Sequence, residues 1–292
     1  MLTLERLREL LRRFLGENRV LYAILILIIV LTLVSTIIAI MPTNTPYSPF
    51  NNNPQGYSKL TEILKVRLTR ECPGSLEATI IPLLKPLSES EALTLIEYVE
   101  RGGTLLILDN GGFSNIILQT LGLNVTVNSY IVLDPAFNLG SRFDIIAYSG
   151  SLKGLALSTP KAINVSDPRV TVLAYSSPLS YIDINGNNLY DVGEPLGPFP
   201  LAIKVYYGEG VILIVGDPMV FSNKLIDRSV NTKLAEDLGL EVSLCGSHAS
   251  YSILDYIKSF HQASAESEVT ALTALVLSLS LALVVLRVAE RS

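Results

Sequence analysis

The sequence predicts a three-layer α/β domain with a mostly parallel sheet and a β-rich insertion, carried on two transmembrane helices. Short apolar runs of strand length alternate with helical periods, the pattern of βαβ units. Between about 125 and 205 the helical periods give way to strands and turns. Both ends carry long uncharged apolar runs, which lift the mean hydropathy to +0.43 over 292 residues with 17% charged.

Residues 1–19 read as a cytoplasmic amphipathic segment. Leu4, Leu7, Leu11, Phe14 and Leu15 share one helical face with arginines mostly opposite, which suits an anionic lipid surface or a cytoplasmic partner and equally a solvated lead-in. Residues 20–40, VLYAILILIIVLTLVSTIIAI, run 21 residues without a charge. At about 1.5 Å per residue they cross a hydrocarbon core of roughly 30 Å. No small-x-small cleavage pattern follows, so the span is expected to be retained. Residues 41–55 form a tether and 247–268 a membrane-proximal helix, ahead of a second span at 269–288 and a cytoplasmic tail at 289–292. Arg6, Arg8, Arg12, Arg13 and Arg19 flank the first span, and Arg287 and Arg291 the second. Positive-inside then puts both termini in the cytoplasm of a cell-membrane protein and the centre outside. Seven of the 22 Lys and Arg and four of the 27 Asp and Glu lie in these flanks, leaving 15 against 23 outside, a balance of −8. An acidic exterior argues against nucleic acid as a partner.

The extracytoplasmic domain is expected over 56–246. A helix is expected across QGYSKLTEILKVRL, with Leu60, Ile63 and Leu64 as its apolar face, then a buried strand in LEATIIPLL. SESEALTLIEYVERGG sets Ser88 three residues before Glu91, a capping box, with Leu93, Ile96 and Val99 at helical spacing and Gly102-Gly103 as the stop. TLLILD completes the unit, and GFSNIILQTLGL predicts a second crossover helix. VTVNSYIVLD, FDIIAYS, RVTVLAYSS, LAIKVYYG and GVILIVGD read as strands, FSNKLIDRSVNTKLAEDLGL as a helix ending at Gly239, and EVSL as an edge strand.

The segments SPFNNNPQGYSKL, YVERGGTLLILD and YGEGVILIVGDPMVFSNKLI, in that order over roughly 46–240, resemble the membrane proteins of the domain-of-unknown-function 4350 family. The resemblance implies a flavodoxin-like sheet similar to class I glutamine amidotransferases, often encoded beside MoxR-type AAA ATPases, and implies no activity.

An amidotransferase needs a Cys on the strand-to-helix turn, activated by a His that a carboxylate orients. The equivalent turn, LDNGGF, has no Cys or Ser, so no catalytic residue is assigned. The chain has two histidines, His248 and His261. Cys245, three residues before His248, suggests a thiol–imidazole pair, against the plainer reading of a structural Cys near a loop His. Phosphate-binding loops are absent. Two polar clusters are candidates for a ligand pocket at the carboxyl ends of the strands: Asn53, Gln55 and Gly56 with their neighbours Asn51 and Asn52, and Asp109, Asn110 and Asp217, together with Ser222 and Asn223. The competing reading is capping, since Asn and Asp oxygens accept main-chain N–H bonds at helix starts and turns.

The stretch DINGNNLYDVGE places Asp183, Asn185, Asn187, Asp191 and Glu194 at positions 1, 3, 5, 9 and 12 of a calcium loop, with the Leu189 carbonyl at position 7. Its proline-bearing flanks exclude a helix-loop-helix. Asn188 replaces the usual Gly at position 6 and tolerates the left-handed region. Structural Ca2+ is therefore one expectation, and an Asn185-Gly186 hairpin turn the other. Cys72 and Cys245 both lie outside, where a disulfide is permitted. The sequons Asn124-Val-Thr126 and Asn164-Val-Ser166 also lie outside.

These readings converge on a membrane-anchored, non-enzymatic domain that binds a protein partner or small ligand in an envelope assembly, with membrane lipid as its other contact. The alternatives are a hydrolase or transferase with its pocket at the strand ends, and a solute-sensing ectodomain.

Overall fold

The computed structural model describes residues 19–74, 77–109, 111–239, 241–249 and 251–265. The expectations for 1–18 and for the second span and tail lie outside the described residues. The chain divides into two units, one of Met1–Met41 with Phe260–Ser292, the other of Pro42–Ser259. In the first, Arg19–Ile40 forms one helix (α1), with Ile26, Leu27, Leu31 and Leu33 exposed. Among the described residues no helix is long and apolar enough to cross a membrane. Helix α1 has 22 residues, but its side chains at 19–25, 32, 35, 39 and 40 lie outside the description.

The second unit is a mixed α/β domain around a sheet of seven strands. In chain order its strands are β1 (Lys65–Thr69), β2 (Ala78–Leu83), β3 (Thr104–Asp109), β4 (Val125–Leu133), β5 (Asp144–Ile146), β6 (Ala156–Ser158), β7 (Lys161–Val165), β8 (Val170–Tyr175), β9 (Tyr181–Asp183), β10 (Pro200–Tyr207), β11 (Gly210–Val215) and β12 (Glu241–Cys245). The main sheet runs β1-β12-β2-β3-β11-β10-β8, parallel from β1 to β11 and antiparallel beyond. A three-stranded sheet β7-β4-β9 and the pair β5-β6 make up the rest of the insertion. Strands β8 and β10, expected inside the insertion, extend the main sheet.

Period-two alternation divides each central strand between two cores. Leu106 and Leu108 of β3 join Val66, Ile80 and Leu244 on one face, while Leu105 and Ile107 join Ile81, Ile212 and Ile214 on the other. Each such buried side chain contributes roughly 1.5–3 kcal/mol. Helix α2 (Leu60–Ile63) and α5 (Ser229–Glu236) cover the first face, through Leu60, Leu234 and Ala235. The other face is covered by α3 (Glu89–Glu100) and α4 (Asn115–Thr120), through Leu95, Ile96, Ile117 and Leu118. Helix α3 starts as predicted. The Ser88 Oγ accepts from the Glu91 N–H at 3.3 Å, and the Glu91 carboxylate accepts from the Ser88 N–H at 2.8 Å.

Three expectations are corrected. The helix predicted over 55–68 stops at Ile63, because Val66 and Leu68 alternate with exposed Lys65 and Arg67 and pair with β12. The helix predicted over 221–240 is a 3₁₀ turn at Pro218–Phe221 followed by α5, with Ser222 extended between them. EVSL is not an edge strand, for β12 lies between β1 and β2. A further helix, α6, spans Ile253–Ala265.

Candidate functional site

Leu108 of β3 pairs with Val215 of β11, so Asp109 and Gly216-Asp217 leave the sheet at neighbouring positions. This is the carboxyl-end crevice where open α/β sheets take ligands. Asp109 is fully buried. Its Oδ1 accepts the N–H groups of Gly111, Gly112 and Phe113 at 2.8, 2.8 and 3.2 Å, and its Oδ2 accepts the Ser114 N–H at 2.8 Å and the Ser114 hydroxyl. The insertion packs onto this turn. Asn115 accepts the Val127 N–H at 2.7 Å and donates to the Val127 carbonyl at 3.0 Å, while a Cβ on Gly112 would stand 2.7 Å from that carbonyl oxygen.

The neighbouring strand end is closed in the same way. The Lys161 N–H donates to the Gly216 carbonyl at 2.7 Å, and a Cβ on Gly216 would lie 2.2 Å from the Lys161 carbonyl oxygen. Asp217 caps the 3₁₀ turn through the Met219 N–H at 2.8 Å and accepts the Ser158 N–H from β6. Burial pushes its carboxyl up to about 7, and nearby Asp144 adds to the shift. Burial pulls the Lys161 ammonium down, against the pull of Asp217 and Asp109. Asp144 is held by Lys224 Nζ at 2.6 Å and by the Ser158 hydroxyl at 2.7 Å. Main chain of the insertion therefore packs against both strand ends, Val127 at the Asp109 turn and Ser158 and Lys161 at Gly216-Asp217.

The second predicted cluster is a clasp between the tether and the segment after β11. The Asn223 N–H donates to the Gly56 carbonyl at 2.7 Å, its amide donates to the carbonyls of Asn51 and Asn53 at 2.8 Å each, and its Oδ1 accepts the Lys59 N–H at 2.9 Å. Gly56 has no room for a Cβ, which would overlap the Asn51 carbonyl. Gln55 enters through its carbonyl, which accepts the Tyr47 N–H at 2.8 Å, and Tyr57 donates its hydroxyl to the Pro218 carbonyl. The Ser222 hydroxyl is buried without a partner among the described residues. Asn53, Gly56, Ser222 and Asn223 are thus brought together, Asp109 stands in its own turn, and Asn110 lies outside the described residues. Lys161, Ser158, Asp144 and Tyr57 are site residues that sequence reasoning missed. No local motif marks them, because register and burial alone bring them to the strand ends.

Cys72 and Cys245 are joined as a disulfide with their Cα atoms 5.7 Å apart. His248 makes no thiol–imidazole pair with Cys245. Its Nε2 lies 3.1 Å from Glu91 Oε1, beside an open cleft of about 350 Å3.

In the 183–194 loop, buried Asp183 accepts the N–H groups of Gly186 and Asn188 at 2.8 and 2.9 Å. Glu194 accepts those of Ile184 and Asp191 at 2.9 and 3.1 Å. Asn185 Oδ1 takes the Asn187 N–H, and Asn187 Oδ1 the Leu189 N–H. The Asn185 and Asn187 amides donate to Asp191 Oδ2 at 2.6 and 2.7 Å. Asn188 has φ +62°, as its place in the loop requires. Among the described residues no three His, Cys, Asp or Glu side chains gather as a metal-ligand set. The loop and its surroundings expose apolar side chains: Val192 at 100%, Leu179 at 60%, Leu189 at 56% and Leu196 at 55%.

A family model described as "Domain of unknown function (DUF4350)" matches residues 49–238. No curated protein matches the chain. Among solved structures, the "mmIFT52 N-terminal domain" is similar at 15% identity and TM-score 0.39, over 63% of this chain and 78% of that one. A β-galactosidase from Bacillus circulans sp. alkalophilus matches at 15% and 0.35, over 56% and 23%. A polyextremophilic β-galactosidase from the Antarctic haloarchaeon Halorubrum lacusprofundi matches at 16% and 0.36, over 57% and 22%. The chain spans less than a quarter of either galactosidase.

Proposed function

We propose, from the premise that this chain belongs to the DUF4350 family, a membrane-anchored extracytoplasmic domain that works by binding a protein partner and not by catalysis. One observation carries it: main chain of the insertion, at Val127, Ser158 and Lys161, packs against the strand ends, and the acids there accept main-chain donors. The Ser114 hydroxyl donates to Asp109, whose carboxylate already accepts four main-chain N–H groups. Docking falls to the insertion, where Leu179, Leu189, Val192 and Leu196 form an exposed apolar rim. The uncharged apolar run at 20–40 and the arginines beside both runs support two spans with cytoplasmic termini, and the disulfide suits an oxidising exterior. The flavodoxin- or amidotransferase-like reading of the sheet, and an assembly with a MoxR-type AAA ATPase, belong to the same proposal. Structural Ca2+ in the 183–194 loop belongs to it as well. Ligation there requires the Asn185 and Asn187 oxygens to release the N–H groups of Asn187 and Leu189, and their amides to release Asp191.

A photo-crosslinking side chain at Val192 of the full protein in its own membrane should yield one discrete protein adduct, weakened at least fivefold by Leu189→Asp. Adducts with lipid only, or a protein adduct that Leu189→Asp leaves unchanged, would overturn the docking surface.

A further inference from the structure

The two sequons of the chain, 40 residues apart in sequence, meet in the fold. Strands β4 and β7 pair antiparallel with Val125 opposite Val165 and Thr126 opposite Asn164. The Ser166 N–H donates to the Asn124 carbonyl at 3.0 Å, which continues the register one step further. Each acceptor Asn therefore faces the hydroxyl residue of the other sequon. Side chains alternate along a strand, and Val125, Val127 and Ile163 point into the core. Asn124, Thr126, Asn164 and Ser166 consequently share the opposite, exposed face.

Both amides are available. The Asn124 main chain is fixed, its N–H donating to Asp167 Oδ2 at 3.1 Å, while its side chain has no hydrogen-bond partner among the described residues. The Asn164 amide meets only Thr126 Oγ1, at 3.5 Å, the outer limit of a hydrogen bond.

From this juxtaposition we infer that Asn124 and Asn164 are N-glycosylation sites, and that their glycans cover one face of the β7-β4-β9 sheet. The inference rests on the extracytoplasmic placement proposed above. In each transfer the Asn Nδ2 attacks the anomeric carbon of a lipid-phosphate-linked sugar. The N–C bond forms, the bond from that carbon to the phosphate oxygen breaks, the phosphate leaves on its lipid, and the amide gives up one proton. Within either sequon the Asn and its hydroxyl lie two residues apart on one extended strand, about 6.6 Å, beyond hydrogen-bond reach. Transfer therefore belongs to the chain before β4 and β7 pair. Diagonal positions across an antiparallel pair lie roughly 7–8 Å apart, so two glycans leave the sheet side by side and shield this face from partners.

The test is the intact mass of the full chain purified from its own membrane, with external protease on intact cells read in parallel. The wild type should exceed its sequence mass by glycan, Asn124→Gln and Asn164→Gln should each remove one increment, and the double variant both. Thr126→Val should reproduce Asn124→Gln, and Ser166→Ala should reproduce Asn164→Gln, while keeping the acceptor. An unmodified mass with protease cutting inside 41–268 overturns the glycan inference and leaves the topology standing. An unmodified mass with no external cutting overturns both. A mass excess that survives the double variant places the modification elsewhere and overturns these two sites.

Discussion

The mouth of the main sheet and the 183–194 loop use one device, a carboxylate that accepts hydrogen bonds from its own loop, to different ends. A carboxylate offers about four lone-pair sites. Asp109 at the mouth takes five donors and is fully buried, so its capacity is spent on holding a turn. Asp183, Asp191 and Glu194 take two donors each, in a loop whose tip is open to solvent. A saturated acid is architecture. A half-used acid, held in place by the bonds it does make, retains the capacity to meet a cation.

Three measurements test that contrast. The largest effect is expected from Asp109→Ala, which strands four main-chain N–H groups in a buried turn and should cost about 3–5 kcal/mol in denaturant unfolding. A loss under about 1 kcal/mol would show that the turn holds itself. Next comes the pH dependence set by Asp217. Its folded pKa lies above the unfolded value of 3.8, at about 7, so the stabilising protonated form is present below pH 3.8 and is lost as pH rises towards 7. The slope is at most about 1.4 kcal/mol per pH unit, on the order of 4 kcal/mol across the window. Asp217→Asn should flatten it. Asp255 and Glu91 have the opposite sign. Burial raises the Asp255 carboxyl but the bonds from Ser252 and Ser48 outweigh it, and the Ser88 hydrogen bonds lower that of Glu91. Their contributions are lost as pH falls through the ordinary carboxylate range, at the acid edge of the Asp217 window. An unchanged slope in Asp217→Asn would remove Asp217 as its source.

The smallest effect belongs to the loop. Calcium at a hundredfold excess over its dissociation constant should add about 2.7 kcal/mol to the stability of the full chain. Glu194→Gln and Asp183→Asn should each reduce that gain. Absence of calorimetric binding at millimolar calcium would leave a hairpin turn, in which Gly186→Val, at φ +75°, becomes the costly change.

Legibility in the sequence followed the range of the interaction. The capping box at Ser88 and Glu91 and the buried strands 104–109 and 210–215 were readable, since capping and periodicity act over a few residues. The conversion of 65–69 from helix to strand was not, because its cause is pairing with residues 241–245. At the site, Asn223 and Asp217 announced themselves as cap-forming residues. Their real partners, Gly56 and Ser158, are named by no local pattern. No strand is expected from the sequence at 161–165, and the place of Lys161 near Asp217 and Asp109 comes from the fold alone.

The position of β12 has a temporal meaning. The last strand of the domain inserts between the first two, so the ladder on one side of β1 and one side of β2 stays open until residue 245 has been made. During synthesis these strands wait as bare edges, an invitation to mispairing. Non-local pairing of this kind is slow, and a chain stopped before residue 241 keeps both edges open however long it is given. Completion of the sheet is thus a late event in the life of each molecule, set by the arrival of five residues near the end of the domain.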